Sequence, residues 1–153
     1  MTPDLEAHAR ALLAANAYLT LATADAAGTP WASPVYFAYD AAARRLLWVS
    51  RPNARHSRNV AERPEVSAVV FDSTVAVGGA EALYLCAWAR ELDGRERAAG
   101  IEVFSSRSVA HRAGPWRLED VTGGTELRLF GADVTEAWVL DRDVDRRLAV
   151  TLG

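Results

Sequence analysis

The sequence predicts a mostly β domain of the α+β class: a six-stranded antiparallel barrel, closed or nearly closed, with flanking helices. Three observations carry that expectation. Six β-rich runs follow one another with short, turn-rich connections. Only two or three stretches have helical character. The 153 residues suit one hydrophobic core, so residues 1–153 read as a single domain. Closing the sheet would remove the edges that so many strands leave exposed.

The first helix is expected in "TPDLEAHARALLAAN", with Thr2 as N-cap, Pro3 at the first helical position, Leu5, Ala9, Leu12 and Leu13 on one face, and Asn16 as its stop. From Tyr18 the period becomes two. "AYLTLATAD" is a strand and "AAGTP" a turn, after which "WASPVYFAYD" sets Trp31, Ser33, Val35 and Phe37 against Ala32, Pro34, Tyr36 and Ala38. Pro34 marks an edge or a bulge, because proline cannot donate to a ladder. "DAAARR" turns the chain into "RLLWVS", so these strands are most simply antiparallel. "NARHSRNVAERP" reads as a short helix capped by Asn53 and ended by Pro64. "EVSAVVFDST" is expected as a buried strand, and "AEALYLCAWARELD" alternates Leu83, Leu85 and Ala87 with Tyr84, Cys86 and Trp88. "GRERAAGIEVFSSR" reads as a helix and "TELRLFGADVTEAWVL" as the last strand. Between them, residues 111–124 form a loop long enough to suggest a role beyond connection.

Half the residues are apolar, and the net charge of −3 argues against wrapping a nucleic-acid backbone. No apolar run approaches the roughly 20 residues of a membrane span, and the N-terminus lacks the basic start and apolar block of an export signal, so cytoplasmic residence is the expectation. The single cysteine, Cys86, reads as a small core residue. His8, His56 and His111 are scattered without metal-ligand spacing, so no metal site is expected. Ser105, Ser106 and Ser108 lie near His111 but lack the Gly-flanked turn of a nucleophilic serine.

Against this acidic background, "WVSRPNARHSRNVAERPEV" gathers Arg51, Arg55, His56 and Arg58 where a strand gives way to a helix. Cationic side chains and free N–H groups at a helix start make an anion site. Arg55 can hold a phosphate bidentately, with His56 and Ser57 adding donors. The competing view is a solvated helix face paired with Glu62 and Glu65. Trp31, Trp48 and Trp88 are expected to fill the barrel or a subunit contact. Trp116 stands on the long loop, where an aromatic must pack on something, and reads as a possible cover or stacking partner for substrate; Arg112 and Arg117 beside it would attract an anion unless Glu119 and Asp120 neutralise them.

The ordered combination "YLTLAT", "PWASPVYFAYD", "LLWVS" and "PNARHSRNVAERPEVSAVVFD" resembles the pyridoxamine 5'-phosphate oxidase-like flavoproteins, the split-barrel FMN-binding fold, over Tyr18 to Trp138. The resemblance implies a homodimer with FMN buried between subunits. It implies that Arg55 and His56 bind the phosphate, that Val49 and Ser50 line the ribityl chain and ring, and that Pro34, Val35 and Tyr36 contact the isoalloxazine edge. A residue near Glu81 or Ala82 and Trp138 would approach the flavin from the partner chain. The oxidases proper also carry a basic residue at the end of the second strand and an Arg-His-rich tail, whereas this chain has "VYFAYD" and the loosely basic "DRDVDRRLAVTLG". Those departures argue against pyridoxamine phosphate as substrate and leave FMN binding intact. The expectation is an FMN-dependent oxidoreductase acting on a small molecule, with NADH or NADPH as a candidate donor. The alternatives are a deazaflavin (F420) reductase, a non-enzymatic flavin-storage protein and, least favoured, a haem protein using His111.

Overall fold

The computed structural model describes residues 4–141 and 143–153. The chain forms three helices and one eight-stranded antiparallel sheet: α1 (Leu5–Ala15), β1 (Tyr18–Ala24), β2 (Pro30–Tyr36), β3 (Ala38–Asp40), β4 (Arg45–Ser50), α2 (Arg55–Glu62), β5 (Glu65–Phe71), β6 (Ala82–Glu91), α3 (Gly94–Ala110), β7 (Arg128–Asp141) and β8 (Arg146–Val150). All six expected runs are strands. The second breaks at Phe37 into β2 and β3, and the tail supplies β8, which the sequence reading left as a loosely basic tail.

The sheet order is β2-β1-β5-β6-β7-β4-β3, with β8 on the far half of β7. Its two ends, β2 and β3, are consecutive in the chain, so Phe37 carries the backbone from one edge of the sheet to the other. Phe37 is fully buried, and the Arg107 guanidinium lies over its ring at 5.3 Å. Pro34 is accommodated because β2 pairs only with β1, its other side being an edge.

The barrel interior holds Leu19, Leu21, Val35, Phe37, Trp48 and Val70 among others, with Trp48 stacked on Phe130 at 6.0 Å. A second cluster lies outside the barrel, where Ile101 and Phe104 of α3 cover Ala38, Leu47 and Leu129. Alternation along β4 serves both, Leu46 and Trp48 pointing in and Leu47 and Val49 pointing out under α3. Arg45 bridges β4, β7 and α3, donating to Asp133 Oδ1 at 2.6 Å and to Glu96 at 2.5 Å.

Several local expectations need correction. Thr2 and Pro3 lie outside the described residues; α1 is capped by Asp4, whose Oδ1 accepts from the Ala7 N–H at 3.0 Å. α2 begins after Ala54 rather than Asn53, with no side-chain cap. The strand β5 alternates instead of being buried on both faces, because helices cover only part of the sheet. Cys86 points outward with Tyr84 rather than into the core, since the register that buries Leu83, Leu85 and Ala87 sends it to the other face. Among the described residues, no helix is long and apolar enough to cross a membrane.

Phe37→Ala should destabilise the protein by about 3–5 kcal/mol, the usual range for emptying a buried phenylalanine site, read as a lowered denaturant midpoint. A loss under about 1 kcal/mol would mean that the barrel closes without this side chain.

Candidate functional site

The basic stretch leaves β4 at Ser50, turns through Pro52 and Asn53, and starts α2 at Arg55. Val60 and Asn59 seat the helix on the barrel. Asn59 is 4% exposed and its Nδ2 donates to Thr23 Oγ1 at 3.0 Å, tying α2 to β1. Its burial leaves no signal in the sequence, where it stands between Arg58 and Val60 in a largely polar helix.

The first turn of α2 contains no acidic residue and no side chain caps its N–H groups. Such a terminus presents free donors and the positive end of the helix dipole. Arg55 stands beside it with its guanidinium over Trp31, 4.2 Å from the ring centroid. Among the described residues no carboxylate lies within ion-pair distance of Arg55 or Arg58, whereas Arg51 pairs with Glu126 at 3.1 Å. Asp25 is nevertheless near enough to Arg55 for its carboxyl, held down first by the Thr29 N–H, to be lowered in part by that charge. Glu62 is not ion-paired to the cluster either, its carboxylate accepting from the Ala26 N–H at 3.0 Å.

Two further residues converge there. His56 Nε2 and Ser50 Oγ are 2.8 Å apart, joining the end of β4 to the helix start. Burial pushes the His56 imidazole below its ordinary pKa, favouring the neutral ring. Ser57 is 2% exposed and its Oγ has no hydrogen-bond partner among the described residues. An unsatisfied buried hydroxyl costs about 1–3 kcal/mol, so this one is poised for a partner that the chain itself does not supply.

Of the other expected site residues, Tyr36 and Val49 pack against the cluster under α3. Val35 points into the barrel, leaving only its backbone for any ligand. Pro34 faces outward in a row with Thr20, Val69, Tyr84 and Trp138, one residue on each of five neighbouring strands. That row crosses four interstrand steps, about 19 Å, so Trp138 and Pro34 of one chain are not brought together. Over the middle of it lies a shallow, mostly apolar cavity of about 470 Å³ that includes Cys86, with Arg147 over the Tyr84 ring at 4.5 Å. Trp31 and Trp88 are outside the barrel at 41% and 49% exposure. Ala82 is buried, and Glu81 lines a separate cavity with His8.

In the 111–124 loop, Trp116 packs edge-on against Phe104 at 5.7 Å, and its N–H donates to Ser105 Oγ at 2.8 Å. The Arg117 guanidinium pairs with Glu119 at 3.4 Å on the exposed surface, and Asp120 Oδ2 accepts from the Arg117 backbone N–H at 2.8 Å. His111, scattered in sequence, meets Tyr36: its Nδ1 lies 2.8 Å from the phenol oxygen. Among the described residues no three His, Cys, Asp or Glu side chains gather in a way that could hold a metal ion.

The structure is a split barrel with a donor-rich helix start beside an edge strand. The sequence model for pyridoxamine 5'-phosphate oxidase matches residues 5–116, and the chain belongs to that family. No curated protein matches it. Solved structures of the same fold include a haem-binding protein from Mycobacterium smegmatis, 20% identical with a TM-score of 0.76 over 99% of this chain and 59% of that one. The chain thus spans about three fifths of that protein's length. Others are HutZ, the haem storage protein from Vibrio cholerae, at 23% identity and TM-score 0.68 over 86% of this chain and 90% of that one, and an F420 reductase at 20% and 0.60 over 90% and 98%. At these identities the likeness is one of fold.

The half-buried His56 gives a pH signature. Unfolded, it takes a proton near pH 6.5; folded, it does so only at lower pH. Its stability contribution is therefore complete above about pH 6.5 and is lost as pH falls from there through the lowered folded value. Denaturant midpoints of the cofactor-free protein should drop between pH 7.5 and 5, and His56→Gln should drop less. Parallel curves for the two proteins would show that His56 is not the group responsible.

Proposed function

We propose that this protein is an FMN-binding oxidoreductase whose cofactor phosphate docks at the first turn of α2. The observation that carries this is the unpartnered Ser57 hydroxyl, buried at a helix start that has no acid and no side-chain cap and is flanked by the unpaired Arg55. A phosphate dianion supplies what each group lacks: acceptors for Ser57 and the N–H groups of Arg55, His56 and Ser57, and a counter-charge for Arg55. His56, steadied by Ser50, adds a neutral donor or becomes protonated beside the anion.

The remaining flavin contacts fall to Ser50, Val49, Pro34, Tyr36 and the Val35 backbone. Trp138 of the partner subunit joins them if two copies pair through the outer sheet face, where Tyr18, Phe71 and Trp88 are exposed at 61%, 45% and 49%. Flavin, when bound, provides hydride and electron transfer; the protein's part is to hold it, exclude water and admit a small-molecule substrate and a donor such as NADH or NADPH. Among the described residues no carboxylate hydrogen-bonds to the Tyr36, His111 or Ser50 side chains, which suits chemistry centred on the cofactor.

Two other occupants have specific support. A fold neighbour is an F420 reductase, and the phosphodiester of a deazaflavin would meet the same donors. Two neighbours are named for haem, and His111 keeps its Nε2 free of the Tyr36 contact made by Nδ1. The absorption spectrum of the purified, reconstituted protein separates all three: two flavin bands, one deazaflavin band or a Soret band.

Arg55→Ala should weaken FMN binding about 10- to 100-fold, as expected for loss of a charge-assisted contact. Ser57→Ala should weaken it about three- to tenfold while leaving cofactor-free stability unchanged or slightly raised, since it removes an unsatisfied hydroxyl. Fluorescence titration with FMN reads both. Unchanged affinity in both variants would place the phosphate elsewhere.

A further inference from the structure

Where α3 ends against the start of β1 and the end of β2, a cavity of about 350 Å³ opens beside Tyr18, Tyr36, Phe104, Ser108, His111 and Trp116. Its walls are aromatic and tightly interlocked. Tyr36 stands at the centre, edge-on to Tyr18 at 5.9 Å, to Phe104 at 5.5 Å and to His111 at 5.7 Å. Trp116 closes another side against Phe104.

Its polar groups are few and one is unused. Ser108 is 1% exposed, lines the cavity, and its Oγ has no partner among the described residues. Burial raises the Tyr36 phenol above its ordinary pKa, against the opposing pull of Arg107, so it stays protonated. When it donates to His111 Nδ1, the ring hydrogen of neutral His111 sits on Nε2, turning the histidine into a donor.

The frame is fixed before any ligand arrives. After α3, the Arg112 N–H donates to Val109 O and the Ala113 N–H to Ser108 O, with Arg112 at φ 60°, which is a Schellman ending. That ending sets His111 over Tyr36, while the Ser105–Trp116 hydrogen bond pins the following loop. Tyr36 on the cavity wall and Val49, next to Ser50, pack against the same cluster under α3, so the cavity lies on the side of the barrel from which β4 leads to the α2 first turn.

We propose that this cavity is the substrate subsite and takes a planar aromatic molecule of one or two rings bearing a carbonyl or carboxamide edge. The rings would stack among Tyr18, Tyr36 and Trp116, and the polar edge would meet Ser108 Oγ and the His111 ring. The volume suits one or two rings and not a whole dinucleotide, so a nicotinamide donor would insert its ring alone. The role as substrate subsite rests on the proposed flavin; the cavity and its ligand class do not.

The test is a titration of the full chain with 2-naphthamide and with nicotinamide, followed by amide and indole NMR shifts, in parallel with FMN binding. Saturable shifts at the Trp116 indole and at His111 are expected for at least one probe. Ser108→Ala should weaken that probe about three- to tenfold with unchanged stability and FMN affinity, and Trp116→Ala should weaken it further. No saturable binding of either probe, shifts concentrated on Tyr84 and Trp138, or undiminished affinity in Ser108→Ala would overturn the proposal. Probe binding here without FMN binding would uphold the subsite and remove the flavin; FMN binding without probe binding would do the reverse.

Discussion

The architecture depends on one junction, the passage of the chain through Phe37. By leaving β2 at one edge of the sheet and entering β3 at the other, the backbone itself closes the barrel that hydrogen bonding leaves split. The buried phenyl ring and the Arg107 guanidinium over it secure that crossing, and Arg107 also donates to the Leu13 and Asn16 carbonyls at the end of α1. One residue thereby ties together the barrel seam, α1 and α3. The closure brings Tyr36 and Val49 against one cluster under α3, so that an edge strand and the strand leading to α2 meet on the outside of the barrel.

That meeting divides the outer surface into two chemically distinct regions. At the α2 start, donors outnumber acceptors: uncapped N–H groups, an unpaired arginine and a buried unsatisfied serine. Under α3, aromatic rings surround a cavity whose polar groups are a histidine, a phenol and a second unsatisfied serine. Unpartnered buried hydroxyls are uncommon in folded proteins because each sacrifices a hydrogen bond available in water. Ser57 stands at the α2 start and Ser108 on the cavity wall, while the Tyr39 phenol is a third such hydroxyl elsewhere in the barrel.

The fold was largely legible in the sequence because β1, β5 and β6 alternate with period two, β4 and β7 carry apolar runs, and the turns carry Gly, Pro and Asp. The break at Phe37 was not, since alternation runs unbroken through "SPVYFAYD" and only the pairing partners change. Strand β8 was hidden by charge: "RRLAV" gains its strand state from the ladder with β7 rather than from its own apolarity. The placement of Arg55, His56 and Ser57 at a strand-to-helix junction was legible in the sequence. The burial of the Ser57 and Ser108 hydroxyls was not, because a serine inside a helical run carries no sign of burial, and the contact of Tyr36 with His111 joins residues 75 positions apart. Cys86 was misplaced because a lone cysteine in an alternating strand can face either way.

The central claim is that a phosphate, held at the first turn of α2, anchors the cofactor. The most direct measurement compares the affinities of the cofactor-free protein for FMN and for riboflavin, which share the ring and ribityl chain and differ only in the phosphate. The account predicts that FMN binds at least about 100-fold more tightly, the return of several charge-assisted hydrogen bonds, and that the preference collapses in Arg55→Ala. Equal affinities for the two flavins would contradict it.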